Sequence, residues 1–310
     1  MSHCCVIGGT GFLGSHLVRV LKATGRQLTV VGRNPLPTRP LPETVKYVAG
    51  DYGDNYFLRG VLHDVDEVVM LAYTTVPKSS FEDPVRDILD NLPAAVKLFE
   101  IACTLGIKKL VFVSSGGTVY GRAINLPQEE DHPTNPISPY GITKLSTEKY
   151  ALMFHKIESL PVVCVRPGNA YGEGQKPFVG QGFVATAIVS ILQGRDLVLF
   201  GESGTIRDYL HVSDLAEAIL AALEHGIPGE CYNIGSGIGL SNRDVLDVIA
   251  PFAIDAGREI RLKILPSRRY DVSANVLDWK KLHLVSGWKP TIPISEGIEK
   301  TWRWYQQEYP

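Results

Sequence analysis

Tyr140 and Lys144, in the run Tyr140-Gly141-Ile142-Thr143-Lys144, stand four positions apart and form the most reactive pair in the sequence. On a helix that spacing puts both side chains on one face, about one turn apart. An ammonium near a phenol favours the phenolate, lowers the phenol's pKa and makes it a base usable near neutrality. The same ammonium can donate to ribose hydroxyls. Such pairs recur by chance on many helices, so the weight of this one comes from what accompanies it. Val6-Ile7-Gly8-Gly9-Thr10-Gly11-Phe12-Leu13-Gly14 is a strand, a glycine-rich turn and the opening of a helix. Gly8, Gly11 and Gly14 carry the G-x-x-G-x-x-G spacing, a variant of the dinucleotide fingerprint. Glycine permits the tight turn and lets backbone N–H groups approach a pyrophosphate at a helix N-terminus. Between loop and pair lies Val113-Ser114-Ser115-Gly116-Gly117-Thr118-Val119-Tyr120-Gly121, a hydroxyl-rich stretch leaving a strand. Ligands of doubly wound sheets sit at the carboxyl ends of strands.

The elements that must position these groups follow from hydrophobic pattern. Short β-branched runs at 4–7, 28–31, 45–48, 68–71, 109–113 and 162–165 alternate with amphipathic stretches at 11–24, 56–62, 85–105 and 140–157. That alternation predicts an α/β fold, a doubly wound (Rossmann) parallel sheet, with a smaller C-terminal substrate lobe. Prolines at 35, 37, 40 and 42, and at 127, 133, 136 and 139, mark surface loops. After Tyr171-Gly172 the alternation breaks. Helices are expected at 181–193, 213–224, 241–253 and 294–307, with extended segments at 197–200, 231–234 and 259–264. The expected division is a dinucleotide-binding domain over 1–174, to which segments within about 205–237 return, and a second lobe over 175–204 and 238–310.

Composition narrows the class of ligand. The 310 residues carry a formal net charge of −2, with 45% hydrophobic and 21% charged residues. No basic footprint for nucleic acid or an anionic membrane is present, so any anionic ligand depends on a few local cations. The five cysteines, Cys4, Cys5, Cys103, Cys164 and Cys231, lack metal-type spacing and read as reduced thiols of a cytoplasmic protein. Apolar runs are too short to span a bilayer, and no signal peptide is visible. The second strand ends in Val31-Gly32-Arg33-Asn34 without the carboxylate that would hold an adenosine ribose. Arg33 suits a 2′-phosphate or a stack on adenine, and both NAD and NADP remain open.

The set Gly-Gly-Thr-Gly-Phe-Leu-Gly, Ser-Ser-Gly-Gly-Thr-Val-Tyr-Gly, Tyr-Gly-Ile-Thr-Lys and Arg207-Asp208-Tyr209 resembles the extended short-chain dehydrogenase/reductases of the epimerase/dehydratase type. Within them it is most similar to the UDP-glucose 4-epimerase-like branch, over nearly the whole chain. The resemblance implies a tightly bound NAD or NADP, touched by Gly8, Gly11, Phe12, Leu13, Gly14, Arg33, Asp51 and Tyr52. Leu71, Ala72, Tyr73, Asn91, Ser114, Tyr140 and Lys144 complete that set. It also implies a nucleotide sugar held by Asn169, Arg207, Arg268 and Asp271, with Asn275 gating the sugar pocket, and a homodimer built on the helices at 85–105 and 140–157. Guanidinium forks suit phosphate, and a carboxylate accepts from paired hydroxyls. His211 follows the Arg207 motif without an evident partner and reads as structural.

The implied reaction is 4-epimerisation of a UDP-hexose such as UDP-glucose, UDP-N-acetylglucosamine or UDP-glucuronate. Tyr140 takes the 4-hydroxyl proton, hydride passes to the nicotinamide, and the 4-ketose turns over and takes it back. Related dehydratases carry Asp-Glu where Gly117 and Thr118 stand, and related decarboxylases carry Glu at Thr118. The alternatives are an NADPH-dependent 4-ketosugar reductase and a non-catalytic cofactor-sensing protein. In one place the chain departs from the pattern: Gly116 replaces a Ser or Thr that would bond the sugar 4-hydroxyl. Glycine backbone freedom favours Thr118 as the substitute, with Ser115 second and Ser114 on the cofactor side.

Overall fold

The structure, a computed structural model, describes residues 2–266 and 272–309. In chain order the strands are β1 (His3–Ile7), β2 (Gln27–Gly32), β3 (Lys46–Ala49), β4 (Glu67–Met70), β5 (Lys109–Val113), β6 (Val162–Pro167), β7 (Asn169–Tyr171), β8 (Leu197–Phe200), β9 (Ile206–His211), β10 (Cys231–Ile234), β11 (Gly239–Leu240), β12 (Leu262–Leu265) and β13 (Ala274–Asn275). The helices are α1 (Phe12–Ala23), α2 (Asn55–Leu62), α3 (Pro77–Glu82), α4 (Pro84–Leu105), α5 (Gly116–Val119), α6 (Pro139–Glu158), α7 (Phe183–Leu192), α8 (Val212–His225), α9 (Asn242–Asp255), α10 (Lys280–Ser286) and α11 (Ile294–Glu308).

Seven strands form one parallel sheet in the order β10-β6-β5-β4-β1-β2-β3. The chain runs outward from β1 through β2 to β3, then returns to β4 on the other side of β1. The carboxyl ends at that reversal form the crevice where doubly wound sheets bind ligands. Both faces are covered, which is why the central strands read as near-continuous apolar runs rather than alternating ones. Cys4, Val6, Leu28, Val30, Val69 and Val111 point to the face packed by Leu17 and Leu21 of α1 and Ile219 of α8. Their neighbours Cys5, Ile7, Val31, Val68 and Phe112 point the other way, onto Leu58 of α2 and Leu98 and Phe99 of α4. That split is the two-residue period of a strand.

The smaller part has its own core, in which Val184 and Ile188 of α7 meet Val245 and Ile249 of α9 and Trp302 of α11. A small sheet centres on β9, paired with β7, β11 and β13, and β8 pairs with β12. Within 205–237, α8 and β10 join the large sheet, whereas β9 belongs to the small one. Six elements among the described residues have no counterpart in the sequence expectation: α3, α10, β7, β9, β11 and β13. The stretch 116–119, expected as an irregular strand exit, is the single helical turn α5, closed by Val119 N–H donating to the Ser115 carbonyl at 3.1 Å. These are short or set by distant pairing, so no local period announces them.

Candidate active site

The first requirement is a cradle for phosphate at the end of β1. Gly8 has φ +89°, and a Cβ there would stand 2.9 Å from Ala72 N. A Cβ on Gly14 would stand 2.4 Å from the Gly8 carbonyl oxygen. Neither position tolerates a side chain, so the turn is tight and α1 begins directly against the sheet. Its first turn carries no acidic residue, and Gly11, Phe12 and Leu13 open onto the crevice. Free N–H groups and the helix dipole suit this end to a pyrophosphate. The crevice is a cleft of about 630 Å³ reaching from this cradle past Leu71, Tyr73 and Ser114 to Tyr140, Asn169 and Arg207.

Tyr140 is placed by the start of α6. Ser138 accepts from Gly141 N–H at 3.1 Å, and Pro139 occupies the first turn, where its missing N–H costs nothing. Tyr140 N–H itself donates to Ser80 Oγ at 3.1 Å, tying α6 to α3. The Tyr140 ring meets Tyr73 edge-on, with centroids 4.9 Å apart. One turn later Lys144, 3% exposed, donates from Nζ to the Val113 carbonyl at 2.8 Å. Its Nζ lies 4.1 Å from the Tyr73 ring centroid and 5.8 Å from that of Tyr140.

The electrostatics correct the simple view of the pair. Burial pushes the Tyr140 phenol well above its ordinary range, Asp87 adds to that, and a hydrogen bond with Ser115 works against it. Burial pushes Lys144 down to about 7, with Glu148 and Asp87 opposing. Desolvation is thus the largest influence on both groups, and on the phenol it works against the effect of a nearby ammonium.

The hydroxyl-rich exit of β5 is arranged by α5. Ser115 caps the turn and Thr118 lies three positions on, so both fall on one side and line the cleft with Gly117. Thr118 Oγ1 and Ser114 Oγ are buried without a hydrogen-bond partner. Gly116 faces inward: a Cβ there would stand 2.5 Å from Leu277 Cδ1 and 2.7 Å from the Arg166 carbonyl oxygen. Gly117 is the glycine facing the cleft, its Cβ position lying 3.5 Å from Asn169 Oδ1.

The other expected residues divide by location. Arg207 lines the cleft from β9, and its Nη1 donates to the carbonyls of Ile206 and Val272 at 2.8 and 2.7 Å. Asn275 is 1% exposed and sits beneath the cleft, its Nδ2 donating to the Gly116 carbonyl at 3.0 Å and to Gln128 Oε1 at 2.6 Å. Arg268 and Asp271 lie outside the described residues. Arg33 and Asp51 are exposed. Tyr52 is buried in the core, which pushes its phenol up to about 12. Ala72 packs against Gly8, and buried Asn91 accepts from Thr74 N–H at 2.9 Å, holding the turn after Tyr73.

Residues 4–235 match the NAD dependent epimerase/dehydratase family. The chain belongs to that family. It is 33% identical over 313 residues to a UDP-glucose 4-epimerase of Mycolicibacterium smegmatis, covering 98% of each chain. A UDP-glucose 4-epimerase of Thermotoga maritima, solved with UDP-glucose, superposes with a TM-score of 0.92 at 30% identity, over 99% of this chain and 100% of that one. The Thermus thermophilus enzyme, solved with NAD, gives 0.90 at 32% identity, over 98% and 99%. As a member of an NAD-dependent family, the protein is an enzyme whose glycine cradle fits a dinucleotide.

Sequence reasoning passed over several groups around this family's cleft. Pro77, Lys78 and Phe81 of α3 and Gln175 and Phe183 beyond β7 all line it. His211 has a partner after all, its Nε2 lying 3.1 Å from Glu173 Oε2, with an edge-on contact to Tyr171. Asp87, buried near the start of α4, carries no signal in the sequence. None of the helices among the described residues is long and apolar enough to cross a membrane.

Proposed function

We propose that the protein is a nucleotide-sugar 4-epimerase acting on a UDP-hexose, with Tyr140 as acid/base, Ser115 as its partner hydroxyl and Lys144 holding cofactor ribose. The observation that carries this reading is the order of groups along one cleft: phosphate cradle, Tyr140 with Lys144 and Ser115, then Asn169 and Arg207. A dinucleotide held by the Gly8–Gly14 cradle and Lys144 would supply a reversible hydride acceptor for the sugar's C4. Tyr140 takes the 4-hydroxyl proton and later returns it. Ser115, which lines the cleft with Tyr140 and works against the rise of its phenol, is the hydroxyl best placed to steer that proton. Arg207 and Asn169 grip the diphosphate at a distance from the reacting carbon. Gly117 leaves the wall beside the sugar bare, so a 4-ketose has room to turn. No carboxylate stands on the α5 turn, the place from which a dehydratase would expel water.

In this reading residues 1–174 with α8 and β10 hold the dinucleotide, and the remainder, including Arg268 and Asp271, grips the nucleotide. The dinucleotide, NAD or NADP, stays bound through turnover, and Arg33 is the group that would meet a 2′-phosphate. Leu89 of α4 and Ile142, Met153 and Ile157 of α6 are 64%, 51%, 42% and 68% exposed, an apolar surface that supports a homodimer. The test is incubation of the purified protein with UDP-glucose, UDP-N-acetylglucosamine and UDP-glucuronate, with C4 configuration read by NMR. Conversion without added reductant is expected. A strict demand for stoichiometric NADPH with a 4-ketosugar would replace this reading by the reductase.

A further inference from the structure

Behind the Tyr140–Lys144 pair lies a charge that the epimerase scheme leaves unused. Asp87, near the start of α4, is fully buried at 0% exposure. Its Oδ1 accepts from the Thr75 hydroxyl, and its Oδ2 has no hydrogen-bond partner. A buried carboxylate with an unbonded oxygen is costly unless a cation compensates it. Two cations are buried in this region. Arg166 is committed to Glu148 at 2.7 Å. Lys144 donates to the Val113 carbonyl and otherwise meets rings, with Nζ 4.1 Å from the centroid of Tyr73, 5.1 Å from that of Phe112 and 5.8 Å from that of Tyr140.

The loop after β4 joins Asp87 to that lysine. Asn91 Oδ1 accepts from Thr74 N–H at 2.9 Å, and Asn91 Nδ2 donates to the Asp87 carbonyl at 2.8 Å. Together with the Thr75–Asp87 bond, these contacts clamp the residues directly after Tyr73. Tyr73 in turn offers its face to Lys144 and meets Tyr140 edge-on. Its own hydroxyl is buried without a partner.

We propose that Asp87 is the counter-charge of the Lys144 ammonium and, through Thr75, a positioning residue for the Tyr73 ring on which that ammonium rests. The proposal takes from the functional reading only that Tyr140 and Lys144 are the reacting pair. Lys144 touches Tyr140 on α6, Tyr73 after β4 and Phe112 and the Val113 carbonyl of β5, while Glu148 on α6 and Asp87 on α4 act on it through the low-dielectric interior from beyond ion-pair distance. Glu148 acts on it already neutralised by Arg166, which leaves Asp87 as the uncommitted negative charge. The same charge opposes ionisation of Tyr140. Asp87 thus favours the pair as phenol and ammonium, the form in which Tyr140 can hand a proton back.

Two variants separate charge from shape. Asp87→Asn keeps an acceptor for Thr75 and removes the charge, whereas Thr75→Val removes the hydrogen bond and keeps the charge. The protein as purified is labelled with 13Cε-lysine, and the Lys144 signal is identified by its loss in Lys144→Met. Its titration is followed in parallel with the pH profile of kcat. The midpoint should lie near 7 in the wild type. It should fall by about one pH unit or more in Asp87→Asn and hold in Thr75→Val, with the alkaline edge of kcat moving down in the former alone. Should the amide not pack, Asp87→Ser, smaller and neutral, gives the same reading. A midpoint unmoved in both neutral variants, or moved equally by Thr75→Val, overturns the proposal. A protein that shifts as stated yet epimerises no UDP-hexose keeps this inference and loses the functional one.

Discussion

Replacing Ser115 by alanine removes one hydroxyl from the cleft and leaves its shape almost unchanged. That hydroxyl is the group that stabilises the Tyr140 phenolate, against burial and Asp87, which both disfavour it. A hydrogen bond to a charged group contributes about 1.5–3 kcal/mol, and its loss at the reacting phenol lowers kcat roughly ten- to 150-fold. Nucleotide affinity should hardly change, because Arg207 and Asn169 are untouched. The sign of the pH effect follows from the same contact. The bond holds the Tyr140 pKa down, so the rise of kcat with pH, which follows formation of the phenolate, moves to higher pH in Ser115→Ala. Steady-state kinetics between pH 6 and 10, run beside Thr118→Val, checks both. Thr118 also lines the cleft, but its partnerless hydroxyl is buried, and its loss is expected to cost less. A crippled Thr118→Val enzyme beside an unimpaired Ser115→Ala enzyme would refute the assignment and give the role to Thr118.

Gly14→Ala puts a Cβ 2.4 Å from the Gly8 carbonyl and 2.6 Å from Gly9 Cα, backbone atoms that cannot step aside. At about 1–3 kcal/mol for overpacking, the dinucleotide released on denaturation should fall to about a fifth of wild type or less. Glu148→Ala strands the buried Arg166 guanidinium, which also donates to the Tyr120 hydroxyl at 2.9 Å. It should cost about 3–5 kcal/mol in urea unfolding, and a loss below about 1 kcal/mol would mean that water reaches Arg166. Arg33→Ala should weaken NADP roughly ten- to a hundred-fold and NAD much less, if NADP is native. Equal small changes in both dissociation constants would make Arg33 a solvent-facing side chain.

What the sequence revealed, and what it hid, divides along the range of the interactions. The glycine cradle is legible because a tight turn and a helix start within nine residues demand glycine locally. Tyr140 and Lys144 are legible because a helix makes i and i+4 neighbours whatever surrounds it. Strand positions 4–7, 28–31 and 109–113 carry their own apolar signal. The α5 turn does not. Two glycines disfavour a helix, and strand parity puts Gly116 on the same side as Ser114 and Thr118. The turn is made by its neighbours: Leu277 and the Arg166 carbonyl press on Gly116 from below, and Asn275 holds its carbonyl. Asn275 reaches that place only because the two-residue strand β13 pairs with β9, matching Asn275 to Arg207. A contact formed across so much chain leaves no local period to read. Asp87 illustrates the same limit in electrostatics. Its position near a helix start suggests a solvated acid favourable to the dipole. Only the packing of α4 against the β4–α3 loop takes it out of water. The residues that set the pair's protonation are therefore those sequence spacing cannot supply, since burial, rather than the four-residue interval, decides how Tyr140 and Lys144 titrate.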